Sequence, residues 1–286
     1  MDPVKTAIDA LLSRQAPGGG FPIRPGRNVR PEATAWAAIA LLRHGGGGEA
    51  ARNACRELAR IQKENGSLVV SDHAPGAVWP TPLALMAWQL EGGYREERDR
   101  AARFLLEHSG SHFPFDPNGP VGHDTSIRGW PWVLGSHSWI IPTSLAVIAL
   151  DGEGYRDHER VTEGIRMIMN RQLASGGWNY GNTTVFGREL RPQLEATGMA
   201  LAALKGYTEA RSVAGSLAYL RADLAEVLTP LSVGWALLGG VAWGQPPPDA
   251  AKLIDETLEL QRVRGPYDTG ALAVLITAAA TAGGRS

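Results

Sequence analysis

Three carboxylates recur in one setting: Glu32 in Arg30-Pro31-Glu32-Ala33-Thr34, Glu195 in Gln193-Leu194-Glu195-Ala196-Thr197, and Asp268 in Gly265-Pro266-Tyr267-Asp268-Thr269. Each stands one or two residues before a threonine that opens an Ala/Leu-rich run. An acid in the first turn of a helix complements the positive end of the helix dipole, worth ~0.3–1 kcal/mol. The same acid at the edge of a ligand site is a proton donor or base. The hydroxyl position itself recurs at Thr34, Thr81, Thr143, Thr197, Ser232 and Thr269, where a cap or first-turn residue bonding backbone amides accounts for it.

A second group lies in residues 109–138, where Asp116, His123, Asp124, Arg128 and His137 are interleaved with Phe113, Phe115, Trp130 and Trp132, and Trp139 follows. We read this stretch as a lid that lays aromatics over a central cavity, with His123 and Asp124 as an acid–base pair on its polar rim. Asp72-His73 is a second pair of the same kind. No His-x-x-x-His or multi-cysteine spacing marks a metal site, and no cofactor is called for, with magnesium and zinc left open. Arg30, Arg128, Arg188 and Arg191 flank the starts of apolar runs, where a diphosphate or carboxylate could be gripped bidentately, or they are ordinary solvated arginines. Of the nine tryptophans, Trp36, Trp79, Trp132, Trp139, Trp178 and Trp235, together with His137, Tyr180 and Tyr267, are candidates to line a cavity. Aromatic faces stabilise carbocations; the competing account is core packing.

The elements that position these residues follow from composition and periodicity. Glycine (35) and proline (19) make up nearly a fifth of the 286 residues, against a usual ~12%. With 44% hydrophobic residues, that means many punctuated short elements rather than disorder. Runs 35–42, 83–88, 145–150, 199–204 and 271–281 are apolar all round and predict buried helices. Stretches 4–14, 49–62, 95–107, 158–172, 209–221 and 250–261 carry apolar residues at three- and four-residue spacing and predict helices with one wet face. With the segment that opens at Ser232 as the sixth of the buried kind, six of each kind in alternation give an all-α (α/α)6 toroid, one domain over residues 1–286. The connections into the inner helices are long (16–30, 65–78, 109–138, 174–191) and the returns are shorter. The long loops and the inner N-termini therefore gather at one mouth, where a site is expected.

The formal charge of −1 provides no field to recruit nucleic acid. The single cysteine, Cys55, cannot form an internal disulfide and suits a reducing, cytoplasmic setting. The longest apolar stretch, 271–282, is too short to span a bilayer; peripheral membrane contact and oligomeric state are left open.

A turn repeats before several inner helices: Gln15 to Gly20-Phe21, Gln62 to Gly66-Ser67-Leu68, Gln172 to Gly177-Trp178, and Gln261 to Gly265-Pro266-Tyr267. Glycine supplies the left-handed stop, the glutamine amide satisfies backbone at a helix end, and a bulky side chain packs over the following turn. This resembles the QW-type repeat of squalene-hopene cyclases and the related protein prenyltransferase β-subunits, over essentially the whole chain. The resemblance implies an α/α toroid and isoprenoid chemistry. Cyclases of that family protonate an alkene with the middle Asp of a D-x-D-D-T motif at the start of an inner helix. That motif is absent here; Glu32 and Glu195 occupy the place that matches the acid, and Asp268 that of its neighbour. The prenyltransferase zinc ligands are Asp, Cys and His, whereas Cys55 lies in an outer segment. The expected function is a terpenoid cyclase-like protein that binds an isoprenoid or other hydrophobic substrate in its central cavity and cyclises, isomerises or transfers it by acid–base and carbocation chemistry. The alternatives are a non-catalytic lipid- or protein-binding toroid and a carbohydrate-active (α/α)6 enzyme using two of the same carboxylates.

Overall fold

Residues 2–45, 48–224 and 229–283 are described in the computed structural model. Outer and inner helices alternate along the chain: α1 (Pro3–Leu12), α2 (Pro31–His44), α3 (Gly48–Ile61), α4 (Pro80–Glu91), α5 (Arg95–Glu107), α6 (Ile140–Gly152), α7 (Glu159–Asn170), α8 (Leu194–Leu204), α9 (Ala214–Asp223), α10 (Pro230–Ala242), α11 (Ala250–Glu259), a single turn α12 (Gln261–Arg264), and α13 (Thr269–Ala282). The two kinds differ as their patterns predict. On the outer α3, Ala51, Ala54, Cys55 and Leu58 form one buried stripe, whereas on the inner α2 every residue from Glu32 to Leu41 except Trp36 is buried. Gly45 and Gly92 take the left-handed conformation that ends α2 and α4.

The inner helices close a ring. Helix α2 packs on α4, α4 on α6, α6 on α8, α8 on α10, α10 on α13, and α13 returns to α2. The chain ends are sewn together at that last junction. The Thr269 amide donates to the Ile23 carbonyl (2.8 Å), its hydroxyl donates to the Pro22 carbonyl (2.6 Å), and Arg14 Nη1 donates to the same hydroxyl (3.2 Å). The expected (α/α)6 toroid is the fold observed.

The recurring hydroxyls hold the mouth loops to the inner helices. Thr34 Oγ1 accepts from the Phe21 amide, Thr81 from Leu68, Thr143 from Trp130 and Thr197 from Trp178, each at 2.9 Å. The repeated glutamines tie each turn to the next outer helix: Gln15 Nε2 donates to the carbonyls of Gly19 and Ala50, and Gln62 Nε2 to those of Gly66 and Glu97. Both bonds are local backbone repair of the kind a turn between crossed helices requires.

In the fourth mouth loop a small hairpin, β1 (Thr184–Val185) and β2 (Arg188–Glu189), turns through Phe186 and Gly187, both at positive φ (48° and 75°). It joins the third loop: the Gly122 amide donates to the Thr184 carbonyl (3.1 Å) and the Phe186 amide to the Pro120 carbonyl (3.0 Å). Among the described residues, no helix is long and apolar enough to cross a membrane.

Candidate functional site at the mouth of the ring

Glu32 lies in the first turn of α2 because Pro31 opens that helix, and it is buried. Its Oε1 meets Arg30 Nη2 at 3.0 Å. Its Oε2 is buried with no hydrogen-bond partner, as is Arg30 Nε. Burial pushes the carboxyl above its ordinary range, opposed by a backbone hydrogen bond and by Arg30. One turn along the same helix, Trp36 meets Trp235 of α10 edge to face, with ring centroids 5.6 Å apart, and the Trp235 indole N–H is itself buried without a partner. A buried carboxyl, raised in pKa and one helical turn from an aromatic pair, is the chemistry of a proton donor to an apolar group.

The other two acids stand differently. Glu195, in the first turn of α8, is half-buried and accepts from the Tyr180 hydroxyl at 2.7 Å. Asp268 caps α13, accepting from the Ala271 amide at 2.8 Å, and lies close enough to Arg14 to attract it. Its carboxylate is thus engaged as a helix cap, the simpler of the two roles the sequence allows.

The aromatic candidates divide. Trp79 and Trp132 meet edge to face at 5.2 Å, and His137 tilts onto Trp139 at 4.7 Å; all four stand in the mouth loops. Trp178 is completely buried, its indole donating to the Ile168 carbonyl at 2.7 Å. Trp130 does the same to Leu105 at 2.8 Å. These two rings belong to the packing between layers, and Trp178 does not line the mouth. Tyr267 turns outward, donating to the Thr257 carbonyl at 2.7 Å.

The lid expectation needs correction. Phe113 and Phe115 face solvent, and His123, expected on a polar rim, is buried. The Asp124 carboxylate is taken up by the Ser126 amide (2.9 Å) and hydroxyl (2.6 Å). Arg128 lies along α7, paired with Glu163 at 3.0 Å, and is not aimed at the mouth; Arg191 is exposed. The physical reason is the hairpin seam, which pulls residues 120–124 toward the fourth loop instead of across the ring.

Two hollows are lined by residues other than the candidate acids and tryptophans. A hollow of about 420 Å³ lined by Val4, Pro247, Ile254 and Ala279 lies by the C-terminal end of α13, and one of about 470 Å³ runs along α7 beside Arg128 and Glu163. Neither is lined by Glu32, Trp36 or Trp235. The inner layer is drawn tight where α8 crosses α10: a Cβ at Gly239 would stand 2.7 Å from the Gly198 carbonyl oxygen. Among the described residues, no group of three or more His, Cys, Asp or Glu side chains could hold a metal.

No protein-family model matches the sequence, and no curated protein does. Solved structures do match. A protein from Actinoplanes superposes with a TM-score of 0.67 at 16% identity, covering 98% of each chain. The type II terpene cyclase MstE from Scytonema superposes in complex with geranylgeranyl dihydroxybenzoate, its substrate (TM-score 0.63, 15% identity, 98% of this chain and 97% of that one). Its ligand-free form gives the same TM-score and identity over 97% and 98%. The chain therefore has a terpene cyclase-like toroid fold.

Proposed function

We propose that this protein binds a prenylated or other isoprenoid substrate at the mouth of the ring and that Glu32 protonates it. The observation that carries the reading is the buried, pKa-raised Glu32 carboxyl with one unpartnered oxygen, a helical turn from the Trp36–Trp235 pair. In the proposed step the Glu32 O–H adds its proton to one alkene carbon. The π pair forms the new C–H bond, and the adjacent, more substituted carbon becomes a cation beside the indole faces. The neighbouring alkene of the chain then closes a ring on it, and loss of a proton to a base, for which Glu195 is the candidate, ends the sequence. The geranylgeranyl dihydroxybenzoate bound by MstE supports the substrate class.

One observation favours a second reading, a non-catalytic isoprenoid-binding ring: Arg30, at 3.0 Å, stabilises the ionised form of Glu32. Incubation with geranylgeranyl-substituted benzoate, squalene and linear prenyl diphosphates, with products read by mass spectrometry, tests both. A cyclised product lost in Glu32→Gln and retained in Asp268→Asn supports the enzyme. Binding without product supports the second reading, and neither binding nor product removes both.

A further inference from the structure

Three arginines are buried among the described residues: Arg14, Arg160 and Arg171. Arg160 has its counter-charge in Glu163 at 2.7 Å. Arg14 has Asp268 as its attracting neighbour. Arg171 has no carboxylate within 4 Å among the described residues; its Nη1 donates to the Ser138 carbonyl at 2.6 Å, and its Nε is buried without a partner.

The pseudo-repeat makes the omission specific. Arg14 and Arg171 each precede the glutamine that closes an outer helix, and each reaches the start of the preceding inner helix in the ring. For Arg14 that start is Asp268-Thr269. For Arg171 the same place is Pro142-Thr143, so proline stands where the counter-ion would be. Taking a guanidinium out of water is costly unless a counter-charge compensates it, so a buried one is expected to have an anion.

Two more buried groups without partners lie on the two seamed loops, His123 close enough to Arg171 to feel its charge. His123 and Thr183 are 5% and 8% exposed, and His123 Nδ1 and Thr183 Oγ1 have no hydrogen-bond partner. Two glycines bring the loop backbones close to these groups: a Cβ at Gly181 would meet the Trp139 ring at 2.9 Å and stand 3.5 Å from Arg171 Nη1, and one at Gly122 would meet Thr184 Cβ at 2.8 Å and stand 3.2 Å from Thr183 Oγ1. Burial together with the positive charge of Arg171 holds the His123 imidazole down to about 4, and burial holds Arg171 down to about 10; an anion placed between them would raise both. The one acid adjacent in sequence, Asp124, is spent on Ser126.

We propose that Arg171, His123 and Thr183 form a buried oxyanion-binding site beneath the seam of the third and fourth mouth loops, taking one carboxylate or phosphate group. Arg171 supplies paired N–H donors, Thr183 a hydroxyl and His123 a ring N–H. The site does not depend on Glu32 acting as an acid.

Calorimetric titration of the whole chain with inorganic phosphate and, separately, benzoate tests it, alongside hydrogen exchange at the Gly122 and Phe186 amides that close the seam. The expected result is one equivalent bound, slower exchange at both amides, and affinity reduced roughly tenfold or more in Arg171→Gln and several-fold in Thr183→Val. Preference for phosphate assigns a phosphate group, and preference for benzoate a carboxylate; either supports the site. If Arg171→Gln does not fold, Thr183→Val, which keeps the charge and the shape, carries the test. Absence of binding by both anions, or binding that Thr183→Val and a folded Arg171→Gln leave unchanged, overturns the proposal.

Discussion

The hydroxyl of Tyr180, from the fourth mouth loop, donates to Oε1 of Glu195 at 2.7 Å. Burial first, then this bond and the negative charge of Glu195, push the phenol up to about 12. Replacing Glu195 by Gln removes the negative charge and leaves only a neutral, weaker acceptor for the phenol, so Tyr180 should ionise nearer its ordinary value in Glu195→Gln. Since the folded pKa lies above the unfolded one, the contribution of Tyr180 to stability is intact below about 10 and declines as pH rises toward 12. Carbon-13 NMR of the labelled tyrosine ring reads the titration. An unchanged midpoint in the variant would mean the bond is not formed in solution.

Glu32 gives a pH dependence at the other end of the scale. Its folded pKa is raised, mainly by burial. The stability associated with its protonated form is complete below the unfolded pKa and is lost as pH rises through the folded one. Once pH passes the folded pKa, wild type holds a buried charge that Glu32→Gln lacks, while Arg30 is about a third exposed and can be hydrated when its partner is gone. The stability of Glu32→Gln relative to wild type should therefore grow as pH rises through the folded pKa of Glu32. Thermal melts across an acid-to-alkaline pH series measure this, and a difference that shrinks instead would show that the Arg30 pair outweighs burial.

Much of the ring was legible because burial on all sides leaves an unmistakable composition: Ala35 to Leu41 and Ala271 to Ala278 could be little else than inner helices. A further regularity was present and overlooked. Phe21 and Thr34, Leu68 and Thr81, and Trp130 and Thr143 are each thirteen residues apart and joined by the same hydrogen bond. The third pair was hidden because residues 109–128 separate its turn from the outer helix, breaking the Gln–Gly pattern. The solitude of Arg171 could not be read at all. It depends on a comparison with Arg14, whose counter-charge comes from the far end of the chain. The close approach of α8 and α10 was equally invisible, since it is set by how nearly two backbones approach and not by any residue's polarity.

That shared hydrogen bond makes a stability prediction. Thr143→Val keeps the side-chain shape and leaves the buried Trp130 amide without its acceptor, which should cost ~1–3 kcal/mol. Thr281→Val, at the half-buried end of α13, removes only a bond to the Thr277 carbonyl four residues back and should cost less than ~0.5 kcal/mol. Urea unfolding of both variants checks the contrast, and equal losses would show that the hydroxyl column is incidental.

The sharpest packing constraint sits where the inner ring is narrowest. A methyl group on Gly198 would run into the Trp235 carbonyl and stand 2.9 Å from the Ala236 amide nitrogen, both backbone atoms of α10 that no rotamer change can move. Helix α8 must therefore separate from α10, at a cost of ~3 kcal/mol for Gly198→Ala. Gly18, with open space around its Cβ position and no left-handed backbone, should accept alanine within ~0.5 kcal/mol. The separation also carries Trp235 relative to Trp36, whose rings meet at 5.6 Å, so the near-ultraviolet circular dichroism of the indoles should change in Gly198→Ala and not in Gly18→Ala. A stable Gly198→Ala with an unaltered spectrum would mean that α8 and α10 do not touch there.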